Sequence, residues 1–578
     1  MSFGNPTLNL VEDHDDACDF MRWLGERRKI LAVDTETGGL QWWRDPLRLV
    51  QFGDLTSGWA VSFEEWGGLI KDALHRYEGD IVMHNCKFDL RYLERFGCAV
   101  KRSRVHDTRV MGHLLDPASM TGLKPMGVRY VDPLLDASQS DLKTTLTRNK
   151  WTWATVPWDF GPYWSYGALD TVITAHLYEQ LWPLVRGRYE ATYELEMAST
   201  LVIMDLETRG VRIDLDYCER RYEELSAYVV EMADWIKDSY GCSTSDRNVA
   251  ARLLADGVIL TARTETGQWK MDKEVLEGID HPLAADTLAR KKAQKIANTY
   301  FRRFLVDHDN GLLHPDVNPL GARTSRMSVT NPALQTLPRG RIVRDAFIPR
   351  DGHQLVDIDY DQVEQRLTAH FSGDQGMIDA FAEADAGGAD FFTSLARRIY
   401  GDSAITKDDQ RRQTSKNAAY GKVYGAGTES FAKTAGIDLV SAQQFLDTYD
   451  ATFPGVKAWQ REVERVGRER LGLEGEPYII TAWGRRLPAD DDKLYTLANY
   501  LIQGTAADLL KQKLVDLESA GLASYLVMPV HDELLFDIPQ EDVEDLVPQI
   551  EQVMRETERF TVPLTASAEV GASWGAIH

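Results

Sequence analysis

The sequence predicts a multidomain protein that combines α/β and α+β parts. Its 578 residues are too many for one hydrophobic core, and about three or four domains are expected. Apolar, strand-like runs at residues 30–33 and 81–83 mix with helical patterns up to about residue 188, which predicts an α/β unit. Long helical patterns follow, and strand-like segments return near residues 355–360 and 527–536. The expected domains are 1–188, 189–310, 311–373, 374–486 and 487–578.

Composition indicates a globular protein. Hydrophobic residues make up 43% of the chain and aromatic residues 10%, well above the content of disordered chains. No apolar run approaches the roughly 20 residues that span a membrane, and the first residues lack the pattern of a signal peptide. The five cysteines contain no CxxC pair. A reducing, cytoplasmic location without membrane attachment is expected.

The net charge of −24 argues against a nucleic-acid partner and leaves open an acidic, non-enzymatic scaffold that binds other proteins. The distribution of charge argues the other way. Residues 321–350 contain one acid and six arginines, which predicts a track for phosphates: Arg323, Arg326, Arg339, Arg341, Arg344 and Arg350. A second basic stretch includes Arg290, Lys291 and Lys295, and for it a solvated face is as good an explanation.

Two acidic segments predict a metal site. Residues 527–536 set His531, Asp532 and Glu533 between two apolar arms, which favours a hairpin with carboxylates at its turn. A strand-like run ends at Asp359. If Asp359 and Asp532 converge, they form a site for two divalent cations of the kind used in phosphoryl transfer. A polar surface turn is the alternative for the hairpin alone.

A second set of acids lies in the first third of the chain. Asp34 and Glu36 are two residues apart on a predicted strand and share one face. Asn85 and Asp89, like Tyr166 and Asp170, are four residues apart, the spacing of one helix face. Four carboxylates around two metals can activate a water molecule and stabilise the leaving 3′ oxygen of a phosphodiester. Tyr166 is placed to orient that water.

One predicted helix carries cations and aromatics on one face: Arg412, Lys416, Tyr420 and Tyr424 recur every four residues. Steps of four drift by about 40° on a helix, so the four side chains stay together. Such a face suits a triphosphate and a stacked base. The alternative is a helix that packs its tyrosines into the core.

The motifs occur in an order that resembles known families. The first acidic set, with Tyr166, resembles DEDD-type 3′–5′ exonucleases of the tyrosine variant. Residues 359–366, 411–425 and 530–533 resemble motifs A, B and C of family A DNA polymerases, the family of bacterial DNA polymerase I and its Klenow fragment. Residues 324–335 resemble the template-primer contact segment, and residues 503–508 resemble the palm helix.

The resemblance implies a ribonuclease H-like exonuclease domain followed by a right-hand polymerase. In that arrangement, residues 189–310 form the entry helices and thumb, 311–373 and 487–578 the palm, and 374–486 the fingers. The implied activity is template-directed DNA synthesis with 3′–5′ proofreading. The implied partners are primer-template DNA and dNTPs, with two Mg²⁺ ions in each active site and Mn²⁺ as a substitute.

The resemblance also implies residue roles. Asp359 and Asp532 hold the polymerase metals with the Tyr360 carbonyl, and Glu533 belongs to the same catalytic group. Asp34, Glu36, Asp89 and Asp170 hold the exonuclease metals. Tyr420 stacks on the nucleotide, and Glu364 rejects ribonucleotides. Lys416 is implied to be catalytic, because it binds the phosphates and protonates the leaving pyrophosphate. The other implied nucleotide contacts are Arg412, Tyr424, Gln362 and His531, and the implied DNA contacts are Arg326, Arg344, Asn499, Gln503, Asn85, Arg290, Lys291 and Lys295.

Several positions depart from the family pattern. Asp361 stands where serine is usual, Asp357 adds an acid on the same strand face as Asp359, and Tyr495 stands where relatives often carry arginine. Tyr420 replaces a common phenylalanine, which in the family accompanies acceptance of dideoxynucleotides.

About thirty residues precede Asp34, too few for the 5′ nuclease domain of the cellular enzymes, so the chain resembles a bacteriophage replicative polymerase that acts in the host cytoplasm as a monomer. It lacks the long insertion with which one phage relative recruits thioredoxin, so thioredoxin is not an expected partner, while other replication proteins stay open. The alternative function is an exonuclease whose polymerase-like half binds DNA without catalysis.

Overall fold

A computed structural model describes residues 3–26, 30–135, 138–338, 340–423, 425 and 427–577. Arg339 of the predicted phosphate track and Tyr424 of the predicted nucleotide face lie outside these residues.

The N-terminal part of the chain folds as strands covered by helices. Its strands are β1 (Thr7–Val11), β2 (Ile30–Thr37), β3 (Leu47–Gly53), β4 (Ser57–Ser62), β5 (Asp80–Met83) and β6 (Val105–Asp107). Its helices are α1 (His14–Gly25), α2 (Phe63–Arg76), α3 (Cys86–Arg95), α4 (Thr108–Leu115), α5 (Leu123–Tyr130), α6 (Ser138–Asn149) and α7 (Gly161–Arg186).

These strands form one mixed sheet in the order β1-β4-β3-β2-β5-β6. β2 lies inside the sheet, antiparallel to β3 and parallel to β5. Its first residues, 30–33, are buried, as expected for an apolar run flanked by strands on both edges. The polar residues that follow on β2 therefore emerge where α3 and α7 pack against the sheet.

The chain continues as a largely helical region. Its elements are α8 (Glu190–Arg209), β7 (Val211–Arg212), α9 (Leu215–Tyr240), α10 (Asp246–Ala255), α11 (Lys273–Glu277), α12 (Pro282–Lys295), a π-helical turn (Ile296–Phe301), α13 (Arg302–Val306) and β8 (Leu312–Leu313). α9 and α12 pack against each other, and β7 pairs with β8. This pairing places β8 beside the segment that precedes the first residue of α9, and an extended segment follows β8.

The C-terminal sheet is assembled from distant segments. Its first part contains β9 (Asp316–Asn318), β10 (Ser328–Thr330), α14 (Arg341–Arg344), β11 (His353–Tyr360) and α15 (Val363–Ser372). A mainly helical region follows, with α16 (Gln375–Asp385), α17 (Phe391–Tyr400), α18 (Gln410–Val423), α19 (Thr428–Ala435), α20 (Leu439–Thr452), α21 (Pro454–Glu474), β12 (Tyr478–Ile480) and β13 (Arg486–Pro488). After it come α22 (Thr496–Ser519), β14 (Leu526–Val530), β15 (Glu533–Pro539), α23 (Val543–Met554), β16 (Ala566–Gly571) and α24 (Trp574–Ile577).

The palm sheet runs in the order β14-β15-β11-β16 with antiparallel neighbours. The predicted combination of an α/β unit with an α+β unit is therefore confirmed. No helix of the described residues is both long enough and apolar enough to cross a membrane. The exact domain boundaries stay a prediction.

A buried charge cluster joins the two halves. Lys87 on α3 donates to the Glu207 carboxylate on α8 and to Asp316 on β9, the latter at 3.0 Å. Arg91, one turn along α3, donates to the other Glu207 oxygen at 2.7 Å. Glu207 is fully buried, so its charge is balanced by lysine and arginine from the N-terminal unit.

Candidate active sites

Two strands of the palm sheet bring Asp359 and Asp532 to one edge. Asp359 is the next-to-last residue of β11, and its backbone partner on β15 is Glu533. Val530 pairs with Glu533 across the hairpin, so His531 and Asp532 form a two-residue turn. His531 adopts a φ of 58° there, as tight hairpin turns require. The predicted hairpin is confirmed, and its turn lies beside the end of β11.

Negative charge accumulates at this edge. Asp359 and Asp532 both remain accessible to solvent. Enclosure by surrounding protein, followed by the charges of Asp532 and Glu533, raises the pKa of Asp359 to about 8. Desolvation likewise raises the pKa of Asp532. Acids that repel one another in this way favour the binding of a cation or a proton.

A cavity of about 260 Å³ opens beside Asp532 and Tyr360. Glu364, 6% exposed, and Arg326 both line it and form an ion pair. The acid implied to exclude ribonucleotides and the arginine implied to contact DNA therefore form an ion pair with each other in this structure. Tyr360, Tyr420 and His531 also line the cavity.

Helix α18 carries the predicted cations. Arg412 donates to Asp390 at 2.9 Å and to the Thr393 hydroxyl at 3.1 Å. The Lys416 ammonium lies 5.6 Å from the centre of the Phe392 ring, and the Tyr420 ring lies 5.7 Å from the same ring. Asp390, Phe392 and Thr393 come from the start of α17, and the sequence offered no local signal for them.

Three further predicted residues have clear contacts. The Tyr360 hydroxyl donates to the Met554 carbonyl at 2.6 Å, and the Tyr360 carbonyl accepts the Gln362 amide at 2.8 Å. Gln362 precedes α15 with a φ of 60°. The His531 ring lies 3.0 Å from the Gln335 carbonyl. The side chain of Tyr360 thus ties the end of β11 to the end of α23, while its carbonyl accepts a hydrogen bond from the backbone.

The predicted palm contacts for DNA lie at two helices. The Asn499 amide donates to the Val423 carbonyl at 3.2 Å, which ties α22 to the end of α18. Gln503 accepts from the Thr324 hydroxyl at 3.4 Å. The Arg344 guanidinium lies 4.6 Å from the centre of the Trp574 ring and is half-buried.

The second basic stretch is buried at one end and exposed at the other. Arg290 is buried and donates to Gln294 at 3.2 Å, and Lys291 pairs with Asp246. Lys295 is exposed. DNA contact by these residues stays a prediction.

The second acidic set also comes together. Asp34 and Glu36 lie on β2, Asp89 on α3, and Tyr166 and Asp170 on α7. Burial, followed by the charges of the neighbouring acids, raises the pKa of Glu36 to about 8 and holds the pKa of Asp34 well above its ordinary value. Burial raises the pKa of Asp89 to about 7, against a 2.6 Å hydrogen bond from Thr35.

The expectation that Asn85 shares a helix face with Asp89 is wrong. Asn85 precedes α3 with a φ of 70°, and its side chain accepts from Arg109 at 2.6 Å. Asn85 has a left-handed backbone conformation and therefore lies outside the helix, which begins at the next residue, Cys86.

Sequence reasoning missed Lys124. This lysine is 7% exposed, begins the first turn of α5 and forms an ion pair with Asp170. Its ammonium also lies 4.4 Å from the centre of the Tyr166 ring. The positive charge of Lys124 lowers the pKa of both Asp34 and Glu36, in opposition to burial. A cation therefore sits among the four acids.

Both sites suit hard divalent cations by the chemistry of their donors, because every candidate ligand is a carboxylate or carbonyl oxygen. Burial first, and then the charges of the neighbouring acids, raise the pKa of Glu36 and of Asp359. Within the described ranges, no three His, Cys, Asp or Glu side chains stand ready-arranged around a single metal position.

Known families match both halves of the chain. Residues 9–186 match the 3′–5′ exonuclease family, and residues 216–576 match DNA polymerase family A. The chain belongs to DNA polymerase family A. It is a DNA-directed DNA polymerase that carries a 3′–5′ exonuclease domain, and members of these families generally use divalent metal ions.

Relatives of this family A polymerase include two phage proteins. It is 32% identical to the DNA polymerase of Mycobacterium phage D29, over 99% of this chain and 97% of the relative. Identity is 31%, with the same coverage, to the DNA polymerase of Mycobacterium phage L5. DNA polymerase I of Chloroflexus aurantiacus is 29% identical over 85% of this chain and 54% of that protein. These names do not favour the alternative of a non-catalytic polymerase half.

A solved structure shares the fold of this family A polymerase. The POL domain of Pol1 from M. smegmatis, in complex with DNA primer-template and dNTP, superposes with a TM-score of 0.76 at 23% identity. The match covers 98% of this chain and all of that chain.

Proposed function

We propose that this polymerase extends a primer at the Asp359–Asp532 edge and shortens mispaired 3′ ends at the Asp34–Asp170 site, in replication of a phage genome. The observation that carries the proposal is the β11–β15 register, which sets the Asp532 turn beside Asp359. The cavity at that turn is also lined by Tyr420 of α18. Asp532 at the turn and Tyr420 of α18 thus line one cavity.

Two Mg²⁺ ions in each site, with Mn²⁺ as a substitute, would activate the attacking oxygen and neutralise the leaving group. Asp359, Asp532 and the Tyr360 carbonyl would hold those of the polymerase site, with Glu533 adjacent. Asp34, Glu36, Asp89 and Asp170 would hold those of the exonuclease site. The raised pKa of Asp359 and Glu36 supports this assignment, since a bound cation relieves the repulsion.

Substrate binding at the polymerase site requires an exchange of ion pairs. Arg412 is held by Asp390, and Arg326 by Glu364. We propose that the triphosphate draws Arg412 and Lys416 to itself, with His531 and Tyr424 beside them, and that Tyr420 stacks on the base. Glu364 and Gln362 then border the sugar. Release of Arg326 would let it reach the primer-template beside Asn499 and Gln503.

At the exonuclease site, Tyr166 orients the attacking water, and Lys124 is a positioning residue. The Lys124 ammonium contacts both the Asp170 carboxylate and the Tyr166 ring. It therefore fixes two groups on α7 that must face the same phosphodiester. Asn85, which borders α3 near Asp89, is proposed to contact the strand.

We also propose the partners, DNA contacts and location that the family resemblance implies. The partners are primer-template DNA and dNTPs, and the duplex is contacted by Arg290, Lys291, Lys295 and Arg344. The chain works as a monomer in the host cytoplasm. Its domains have the boundaries predicted from the sequence. A helical region with an exposed Lys295 is consistent with a thumb. Thioredoxin is not expected to bind.

One assay tests both activities. The protein is incubated with a primed template and Mg²⁺, with and without dNTPs. We expect extension in the first case and 3′ shortening in the second. Asp532→Asn should abolish extension and keep shortening, and Asp34→Asn should do the reverse. Extension that survives Asp532→Asn would contradict the assignment of the polymerase site.

A further inference from the structure

The aromatic ring of Phe392 lies where three side chains proposed to bind the nucleotide come together. Phe392 belongs to the first turn of α17, and the three side chains project from α18. The centre of its ring lies 5.6 Å from the Lys416 ammonium, 5.7 Å from the centre of the Tyr420 ring and 5.9 Å from the Arg412 guanidinium carbon. Phe392 is 2% exposed, whereas its three partners are partly exposed. One buried ring therefore contacts every described member of the predicted nucleotide face.

The position of this ring is fixed by its surroundings. The Asp390 carboxylate caps α17 and accepts the backbone amides of Phe392 and Thr393, at 3.1 and 3.2 Å. The Phe391 ring lies 5.4 Å from the Phe392 ring at an angle of 67°. A capped helix start fixes the backbone, and an edge-to-face neighbour restrains the side chain. The Phe392 ring is thus a rigid reference point for the side chains of α18.

The two cations of α18 are held in different ways. Arg412 donates to the Asp390 carboxylate at 2.9 Å. Lys416 forms no ion pair with any acid in the described ranges of the chain, and its ammonium lies over the Phe392 ring. A carboxylate partner is held by charge-assisted hydrogen bonds, which an incoming phosphate must replace. An aromatic ring attracts the ammonium through its quadrupole and leaves the positive charge in place. The ring can therefore orient Lys416 without competing for its charge.

We propose that Phe392 is a positioning residue for nucleotide binding, because its ring holds Lys416 in the orientation that receives the triphosphate. This inference rests on the proposed role of Lys416 as a phosphate ligand. A lysine side chain has many rotamers, and ordering it opposes binding. A lysine that is already ordered over a ring loses less freedom when the phosphate arrives. Removal of the ring should therefore weaken phosphate binding, although Phe392 itself does not contact the nucleotide.

The test begins with Phe392→Leu, which keeps an apolar side chain and removes the ring. Single-turnover incorporation at increasing dNTP concentration gives the apparent Kd, which should rise by about three- to tenfold. The KM for pyrophosphate in the reverse reaction should rise by a similar factor, because pyrophosphate meets Lys416 but brings no base to Tyr420. In a Lys416→Met background, Phe392→Leu should change either constant by less than about twofold, since the residue through which it acts is gone.

The matched control is Phe431→Leu on α19. Phe431 is also 2% exposed, and its ring contacts the Phe445 ring at 5.4 Å. This substitution should leave both constants within about twofold of the wild-type values. A trifluorophenylalanine at position 392 provides a second variant that keeps the shape of the ring and weakens its negative face. It should cause an intermediate loss of affinity, and it tests the proposal even if Phe392→Leu does not fold.

Three results would overturn the proposal. A loss that keeps its full size in the Lys416→Met background, or that Phe431→Leu reproduces, would assign the effect to packing of the helices. A weaker affinity for dNTP with an unchanged KM for pyrophosphate would assign it to Tyr420. Full dNTP affinity in the trifluorophenylalanine variant would exclude a role of the ring face. Unchanged dNTP affinity in Lys416→Met alone would instead count against the proposed role of Lys416.

Discussion

The two candidate active sites gather acids in different surroundings. The palm edge is open: Asp359 and Asp532 are accessible to solvent, and the nearby arginines are engaged by Glu364 and Asp390. The exonuclease site is enclosed: Asp89 and Asp170 are buried, and Lys124 is buried with them. One site keeps its cations at the rim, and the other holds a cation inside.

This difference follows from what each site must admit. An incoming triphosphate carries about four negative charges. Arginines that leave their carboxylate partners can bind these phosphates. A single phosphodiester brings one, and an enclosed acid cluster needs an internal counter-charge to stay folded before it binds. The comparison predicts that loss of one group affects one activity and spares the other.

The largest separation is expected from Asp359→Asn. Loss of a carboxylate at the palm edge removes several kcal/mol of stabilisation of the reacting phosphate, so extension should fall by about a thousandfold or more. The 3′ shortening rate should stay within about twofold, since the exonuclease acids are untouched. Single-turnover extension and shortening measured on one preparation provide the check. Parallel loss of both rates would mean that the variant is misfolded or that the sites are not separate.

Lys124→Met tests the enclosed exonuclease site. We expect 3′ shortening to fall by about 10- to 100-fold, the usual cost of removing a group that orients a metal ligand, while extension is unchanged. Lys124→Arg should restore part of the activity, because the cation remains.

The matched control for Lys124 is Lys71→Met. Lys71 lies 5.8 Å from the centre of the Phe63 ring but is exposed, so it tests the loss of a ring-contacting lysine without the acid cluster. A second readout is the affinity for Mn²⁺, measured by calorimetry. This affinity should differ from the wild-type value in Lys124→Met and equal it in Lys71→Met. Equal effects of the two substitutions would contradict a positioning role.

Tyr420→Phe tests the open site at the palm edge and should have a smaller effect than Asp359→Asn. Tyr420 lines the cavity beside Asp532, and in the family a tyrosine at this position accompanies acceptance of dideoxynucleotides. Discrimination against dideoxynucleotides should increase by at least about tenfold, with little change for dNTPs. Competition between ddNTP and dNTP measures the ratio, and an unchanged ratio would contradict the prediction.

The smallest effect concerns pH and stability. The folded pKa of Glu36 is about 8 against an ordinary value of 4.5, so the folded protein keeps this proton after the unfolded chain has lost it. Stability is therefore lost as the pH rises from 4.5 towards 8, and Glu36→Gln avoids this loss.

Without divalent ions, Glu36→Gln should melt higher than the wild type above pH 8 by roughly 2–4 °C, which corresponds to about 1 kcal/mol. Near pH 4.5 the two proteins should melt alike. Calorimetry over this range checks the prediction. A difference that is constant with pH would assign the effect to packing instead of charge.

Local patterns in the sequence predicted the scaffold of both sites. Period-two spacing placed Asp34 and Glu36 on one strand, and the apolar arms around Asp532 predicted its hairpin, because these features depend on neighbours in the chain. Family resemblance supplied the assembly of distant segments.

Side-chain partners were not predictable in the same way. The pairs of Arg326 with Glu364 and Lys124 with Asp170 join residues 38 and 46 positions apart, and spacing carries no signal for such contacts. Arg290 and Arg344 were both expected to contact DNA, yet the first is buried and the second packs on Trp574, since long cationic stems also cover apolar surface.

The Lys87–Arg91–Glu207 cluster has a consequence for how the two halves can be separated. A fragment that starts after residue 188 would lose both cations that neutralise Glu207 and would uncover the face of α8 that α3 covers. Breaking a buried ion pair by removing one partner typically costs about 3–5 kcal/mol, a large share of the stability of an ordinary domain, and solvation of the uncovered carboxylate would offset part of that cost. The polymerase half without the exonuclease unit is therefore expected to unfold more readily than the full chain.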